Sequence, residues 1–278
     1  MTNNAAWSIE VVHAEAPRGS FRFALFDFDG TISLIREGWQ EIMIPYFTEE
    51  MASCPGASNM AGEALASEVR DFVYRLTGKQ TIYQCIELAE RVAALGGKPL
   101  EPLAYKAEYH KRLELRIAHR IAELKADPGG ATIRHVVPGS FEILGALKKR
   151  GVTMYLASGT DEKYVLEEAA LLRVDGYFAG IYGAQDDYIN FSKKIVIDRI
   201  IKENNLHGRE LLGFGDGYVE IENVKGAGGF ACGVATDEVR RSGMDEWKRN
   251  RLKESGADIV IPDFTDTPEL MAYLFNGK

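Results

Sequence analysis

The sequence predicts an α/β fold of three layers, a parallel sheet with helices on both faces, interrupted by an all-helical insertion. Three observations predict it. From residue 140 onward, short apolar runs ending in small or acidic residues alternate with amphipathic helical patterns, as in a sheet buried on both faces. Residues 34 to about 136 carry helical periodicity with almost no strand signal. The chain is long enough, at 278 residues with 46% hydrophobic content, to bury a sizeable core.

The strand candidates are residues 8–12 (SIEVV), 21–28 (FRFALFDF), 152–158 (VTMYLAS), 211–216 (LLGFGD), 230–236 (FACGVAT) and 258–263 (DIVIPD). Apolar runs of this length bounded by turn residues suit buried strands. Helices are expected over 140–151, which stops on Gly151, over 161–174, which opens on Asp161, and over 192–205 and 217–228. The insertion reads as four helices, over 36–51, 61–78, 80–97 and 101–127, the last ended by Asp127-Pro-Gly-Gly. The α/β domain is therefore assigned to residues 1–34 and 137–278, and the helical domain to 35–136. The charge-rich stretch 240–256 reads as a solvated helix.

Composition narrows the function. A formal net charge of -8 argues against a general nucleic-acid binder, which needs basic surface to displace counterions. Three cysteines without metal-ligand spacing (Cys54, Cys85 and Cys232) suit a reducing cytosol. The N-terminus lacks the pattern of a signal peptide, and no run reaches the ~18 apolar residues of a membrane span. A soluble cytoplasmic protein is expected.

The chemistry concentrates in residues 23–33 (FALFDFDGTIS), an apolar strand ending in Asp27 and Asp29 and followed by Gly30 and Thr31. In an extended strand, positions i and i+2 point the same way, so both carboxylates leave the carboxyl edge of the sheet together. That edge is where parallel α/β proteins bind ligands.

Asp27-Phe28-Asp29-Gly30-Thr31 resembles the first motif of the haloacid dehalogenase-like (HAD) hydrolase superfamily, and three further segments resemble its other motifs in order. Residues 154–159 (MYLASG) match an apolar strand with Ser158 at its tip. Ser192-Lys193-Lys194 matches the lysine before a helix. Gly215-Asp216 with Glu220 matches the glycine, aspartate and downstream acid. The resemblance spans the chain apart from the insertion and implies a Rossmann-like core with a helical cap. The position of the cap resembles the phosphoglycolate phosphatase and β-phosphoglucomutase-like branch.

The resemblance implies an aspartyl-phosphate on Asp27, with Asp29 as general acid and then base. It implies Mg2+ as cofactor, held by Asp27, Asp29 through its backbone carbonyl, and Asp216. Ser158, with Gly159 and neighbouring backbone N–H groups, would bind the transferring oxygens, and Lys193 would neutralise charge. Lys193 and Lys194 are adjacent and only one can point inward; Lys193, followed by Val196 and Ile197, resembles the family pattern better. Glu220 stands where the family commonly has Asp, as a water-mediated metal ligand, an orienting group or a surface residue. Asp29 and Thr31 favour phosphoryl chemistry over the carbon-directed dehalogenase branch.

Within the insertion, residues 77–81 (TGKQT) resemble the family's cap loop that closes over the site, making Lys79, Gln80 and Thr81 specificity candidates. Arg36 and Trp39 follow the first motif; Arg36 could face the substrate, and Trp39 could equally be core. Tyr105 and Tyr109 read as packing, and His110, His119 and His135 as structural. The expected protein is a magnesium-dependent phosphatase for a small phosphorylated metabolite, monomeric or homodimeric, with no nucleic-acid or membrane partner. Its rivals are a phosphosugar mutase, a phosphonatase using Lys79, and a non-catalytic phospholigand-binding regulator.

Overall fold

The computed structural model describes residues 9–60, 62–185, 192–205 and 208–276. Ser8 and Ala61, the first residues of two predicted elements, lie outside them. Among the described residues a seven-stranded sheet has the order β1-β7-β6-β5-β2-β3-β4. The strands are β1 (Glu10–Val11), β2 (Phe23–Phe26), β3 (Thr153–Asp161), β4 (Gly180–Ala184), β5 (Leu211–Gly215), β6 (Phe230–Val234) and β7 (Ile259–Ile261). All pairings are parallel except β1 with β7, so the N-terminal strand is an antiparallel edge, which strand–helix alternation does not reveal.

The predicted strands are present, and β4 is additional. Its sequence, GIYGA, has two glycines and only two buried residues, so it lacks the apolar run that marks the others. Strand β2 is central, and its side chains alternate between two cores. Ala24 and Phe26 join one, Phe23 and Leu25 the other, following the two-residue period of a strand. Phe26 stacks on Phe214 of β5, with ring centroids 4.6 Å apart. Burying a ring of this size contributes about 2 kcal/mol.

From β2 the chain builds β3 and β4 on one side, then β5, β6 and β7 on the other. This reversal leaves a crevice at the carboxyl ends of β2 and β5, the usual ligand position in such sheets. The register aligns the ends of three strands, because Phe26 pairs with Leu156 on one side and Phe214 on the other. Asp27, Ser158 and Asp216 therefore emerge at the same edge.

The cap comprises α1 (Gln40–Ala52), α2 (Gly62–Leu76), α3 (Thr81–Ala94), α4 (Pro102–Ala126) and the short α5 (Gly130–Arg134). Its two connections to the core lie side by side: Leu34 N donates to His135 O and Val137 N to Ile32 O, at 2.9 and 3.0 Å. The core helices are α6 (Ser140–Lys149), α7 (Glu162–Leu171), α8 (Lys193–Glu203), α9 (Tyr218–Gly226), α10 (Glu246–Glu254) and α11 (Thr267–Phe275). Helix α10 corrects the reading of 240–256. It is shorter, and Lys248 and Leu252 on it are buried instead of solvated. The three cysteines are free and buried. Among the described residues no helix is long and apolar enough to cross a membrane.

Candidate active site

A cavity of about 100 Å³ lies at the carboxyl edge of the sheet, under the cap. The core contributes Asp27, Asp29, Ser158, Gly159, Lys193 and Asp216 to its lining, and the cap contributes Lys79 and Thr81. The chain segments carrying these residues are far apart in sequence and meet here.

Asp27 continues β2, its N–H donating to Phe214 O at 2.9 Å. Its Oδ1 accepts from Phe28 N at 2.8 Å and from Lys193 Nζ at 2.8 Å. Burial pushes the Asp27 carboxyl from its ordinary 3.8 up to about 6; Lys193 opposes that rise, while Asp216 and Asp29 add to it. Of the two adjacent lysines, Lys193 points inward with its side chain 5% exposed, whereas Lys194 is 68% exposed and pairs with Asp198. Helix phase separates them: Lys193 shares the buried face with Val196 and Ile197.

Asp29 is held from two sides. Thr160 Oγ1 donates to its Oδ2 at 2.7 Å, and Ser158 Oγ approaches the same oxygen at 3.4 Å. Arg36 Nε lies 4.0 Å from Oδ1. Burial raises the Asp29 carboxyl to about 6, against the pull of Arg36. Arg36 itself makes a bidentate pair with buried Glu168, its Nη2 reaching Oε1 at 2.7 Å. The arginine expected to meet a substrate is thus committed to an internal carboxylate beside Asp29, although it still lines the cavity.

Three predicted residues fall elsewhere. Thr31 is fully buried and not among the lining residues. Ile32 N and Ser33 N both donate to Phe28 O at 2.8 Å, and this tight turn brings Ser33 to the lining in place of Thr31. Gln80 is buried off the cavity, and Gln84, one helical turn later, lines it. Glu220 is buried and reaches Lys193 Nζ, so it sits behind the lysine and off the lining. Of the three roles left open for it, its burial excludes the surface residue, and its contact with the ammonium suits an orienting group.

The cap loop does approach the core. A Cβ at Gly159 would lie 2.9 Å from Lys79 O, so only glycine admits this contact. Trp39 lines the cavity as well, and so does Tyr109, which at the same time packs in the hydrophobic core as expected.

Residues that sequence reasoning missed complete the site. Thr160 is two positions past Ser158 on one strand, so the same-face rule applied to Asp27 and Asp29 would have found it. Glu238 lines the cavity beyond β6, and Lys248 of α10 joins it to Asp216, with Nζ 2.7 Å from Asp216 Oδ2. Burial raises the Glu238 carboxyl, while Asp216 and Glu238 hold the Lys248 ammonium above its ordinary range against the effect of burial. No local pattern marks these two in a charge-rich segment.

Asp27, Asp29, Asp216 and Glu238 supply hard oxygen donors around one cavity. Asp29 Oδ1 is buried without a hydrogen-bond partner. Among the described residues no three His, Cys, Asp or Glu side chains converge closely enough to chelate a metal by themselves. The oxygen-only donors fit a hard cation such as magnesium, which binds through one or two carboxylates and retains waters.

A three-layer parallel α/β core, a helical cap and acids at the central strand end define a HAD-type fold. The profile of the haloacid dehalogenase-like hydrolases matches residues 21–228, and the chain belongs to that family. Among curated proteins none matches its sequence. Solved structures of the same fold include a predicted phosphoglycolate phosphatase from Haemophilus somnus 129Pt, at 15% identity and TM-score 0.60, with 91% of this chain and 98% of that one covered. A β-phosphoglucomutase from Clostridium difficile aligns at 15% identity and TM-score 0.58, covering 92% and 97%. A predicted phosphatase from Clostridium acetobutylicum aligns at 14% identity and TM-score 0.57, covering 91% and 99%.

Proposed function

We propose that this hydrolase is a magnesium-dependent phosphatase that cleaves a small phosphorylated metabolite through an aspartyl-phosphate on Asp27. The observation carrying the reading is the convergence of Asp27, Asp29, Ser158, Lys193 and Asp216 on one cavity beneath a cap. A site of about 100 Å³ lined by cap residues as well as core residues favours a small molecule over a phosphoprotein.

Magnesium, held by Asp27, Asp216 and the backbone of Asp29, would screen the anionic substrate from the attacking carboxylate. Lys193 keeps Asp27 ionised by its 2.8 Å contact and offers positive charge to the phosphoryl oxygens. An Asp27 oxygen attacks phosphorus, the ester P–O bond breaks, and Asp29 gives its proton to the leaving oxygen. Asp29, now a carboxylate, takes a proton from water, which attacks the aspartyl-phosphate. Phosphate leaves and Asp27 is regenerated. A carboxyl raised to about 6 can serve in both directions near neutral pH. Ser158 and Gly159 bind the phosphoryl group, and Lys79 and Thr81 of the cap face the rest of the substrate.

The phosphonatase reading has one observation in its favour, Lys79 on the cavity wall. Phosphate release from p-nitrophenyl phosphate and then from a metabolite panel, with and without magnesium, tests the proposal. Magnesium-dependent release that is lost in Asp27→Asn supports a phosphatase. Turnover confined to a carbonyl phosphonate and lost in Lys79→Ala supports the phosphonatase. Isomerised sugar phosphate without free phosphate indicates a mutase, and no turnover on any substrate indicates a binding protein.

A further inference from the structure

Lys248 belongs to none of the motif segments, yet it reaches the active-site acids. Helix α10 is capped at its start by Asp245, whose side chain accepts from Lys248 N at 2.9 Å. Asp245 N in turn donates to Ala235 O, at 2.8 Å, just beyond β6. At its other end Arg251 Nη2 donates to Arg75 O of the cap at 2.9 Å. A helix fixed at both ends sends the Lys248 side chain inward, where it is 11% exposed. Its ammonium bridges Asp216 Oδ2 and Glu238 Oε1. Those two oxygens meet beside Gly30, where a Cβ would lie 2.2 Å from the first and 3.1 Å from the second.

The charges around the cavity do not balance. Lys193 is shared between Asp27 and Glu220, and Arg36 lies between Glu168 and Asp29. Lys248 joins Asp216 to Glu238, Lys79 stands on the cavity wall, and Glu37 on that wall pairs with Arg120, which gives five cations against seven carboxylates. A divalent cation would offset that deficit. Lys248 already offsets part of it, at the carboxylate expected to hold the metal.

We propose that Lys248 is a built-in counter-cation that sets the affinity of this site for its divalent metal. Its ammonium neutralises Asp216 and Glu238 in the metal-free protein and opposes the incoming ion, while Glu238 restores part of the negative charge that Lys248 removes. Lys248 is thus a positioning residue acting through Asp216. The proposal rests on the metal-dependent reading of the site.

Charge alone then orders the variants. Lys248→Met adds one net negative charge and tightens divalent binding. Glu238→Gln removes one and weakens it. The double variant returns to the wild-type balance. Each single change is worth on the order of tenfold in the dissociation constant, the size of one charge acting on a divalent ion at short range in water-like dielectric. Isothermal titration of the full chain with Mg2+ and with Mn2+, without substrate, reads this directly. Melting temperatures with and without metal accompany it.

The expected result is a Lys248→Met protein that melts lower without metal, binds the ion about tenfold tighter, and gains more stability from it than the wild type. The double variant should bind like the wild type. Lys248→Met with unchanged or weaker binding overturns the proposal and leaves the metal reading standing. If Lys248→Met does not fold, a double variant that binds tenfold away from the wild type overturns it equally. A wild-type protein that binds neither ion removes the metal reading and the proposal together.

Discussion

Thr160 Oγ1 donates a 2.7 Å hydrogen bond to Asp29 Oδ2, joining the strand that carries Ser158 to the loop that carries the proposed acid. A donor to a carboxylate stabilises its charged form, and such a bond is worth about 2 kcal/mol. The hydroxyl therefore limits how far burial raises Asp29.

Thr160→Val keeps the shape of the side chain and removes the donor. The Asp29 pKa should rise above about 6. The alkaline limb of the pH–rate profile, where the acid loses its proton, should move to higher pH. Turnover at neutral pH should fall about tenfold as positioning is lost. Steady-state rates from pH 5 to 9 check both (a range of about four units around the relevant values).

The raised carboxyl also makes a stability prediction for the metal-free protein. The native state holds the Asp29 proton up to about pH 6, whereas an ordinary Asp releases it near 3.8. Between those values the native state binds more protons, so stability falls as pH rises through the window and stays lower above it. Asp29→Asn removes the penalty. Thr160 can still donate to the amide oxygen, and Arg36 remains paired with Glu168. At pH 7 the variant should be more stable by about 2 kcal/mol, and the gain should vanish near pH 4. Urea melts at the two values measure it.

Glu168 holds Arg36 away from full engagement with Asp29. Breaking a buried ion pair from one side costs about 3–5 kcal/mol. Glu168→Ala should lose that much stability. It should also free Arg36 for Asp29 and lower the Asp29 pKa, so the alkaline limb shifts to lower pH, opposite to Thr160→Val. Chemical denaturation and the same rate profile separate the two consequences.

These predictions use residues of unequal visibility in sequence. Asp27 was legible as the end of an apolar strand, while Ser158, Lys193 and Asp216 were legible through the resemblance to the family's motifs; parallel strands in register bring Asp27, Ser158 and Asp216 to one edge. Glu168, Glu238 and Lys248 were not, because their roles depend on tertiary contacts. Arg36 and Glu168 are 132 positions apart, and Lys248 and Asp216 are 32 apart. Neither distance leaves a periodic trace. Strand β4 escaped because an edge strand with two glycines buries too little to look like one. Thr31 was misplaced by analogy, because a tight turn puts Ser33 on the cavity, and of the three roles open to Glu220 its contact with Lys193 suits the orienting one.

Gly30 has φ +75, and a Cβ there would lie 2.2 Å from Asp216 Oδ2. Gly30→Ala should strain the backbone by about 1 kcal/mol and displace Asp216. The variant should fold, with melting lowered by several degrees, and should need a much higher magnesium concentration for half-maximal rate. A magnesium titration of turnover tests this.

The covalent intermediate is the most direct measure of the account. Protein quenched in acid during turnover of an active phosphate ester, then reduced with borohydride and mapped by peptide mass, should carry its label on Asp27 alone. A label on any other residue, or Asp27→Asn retaining wild-type turnover, would contradict it.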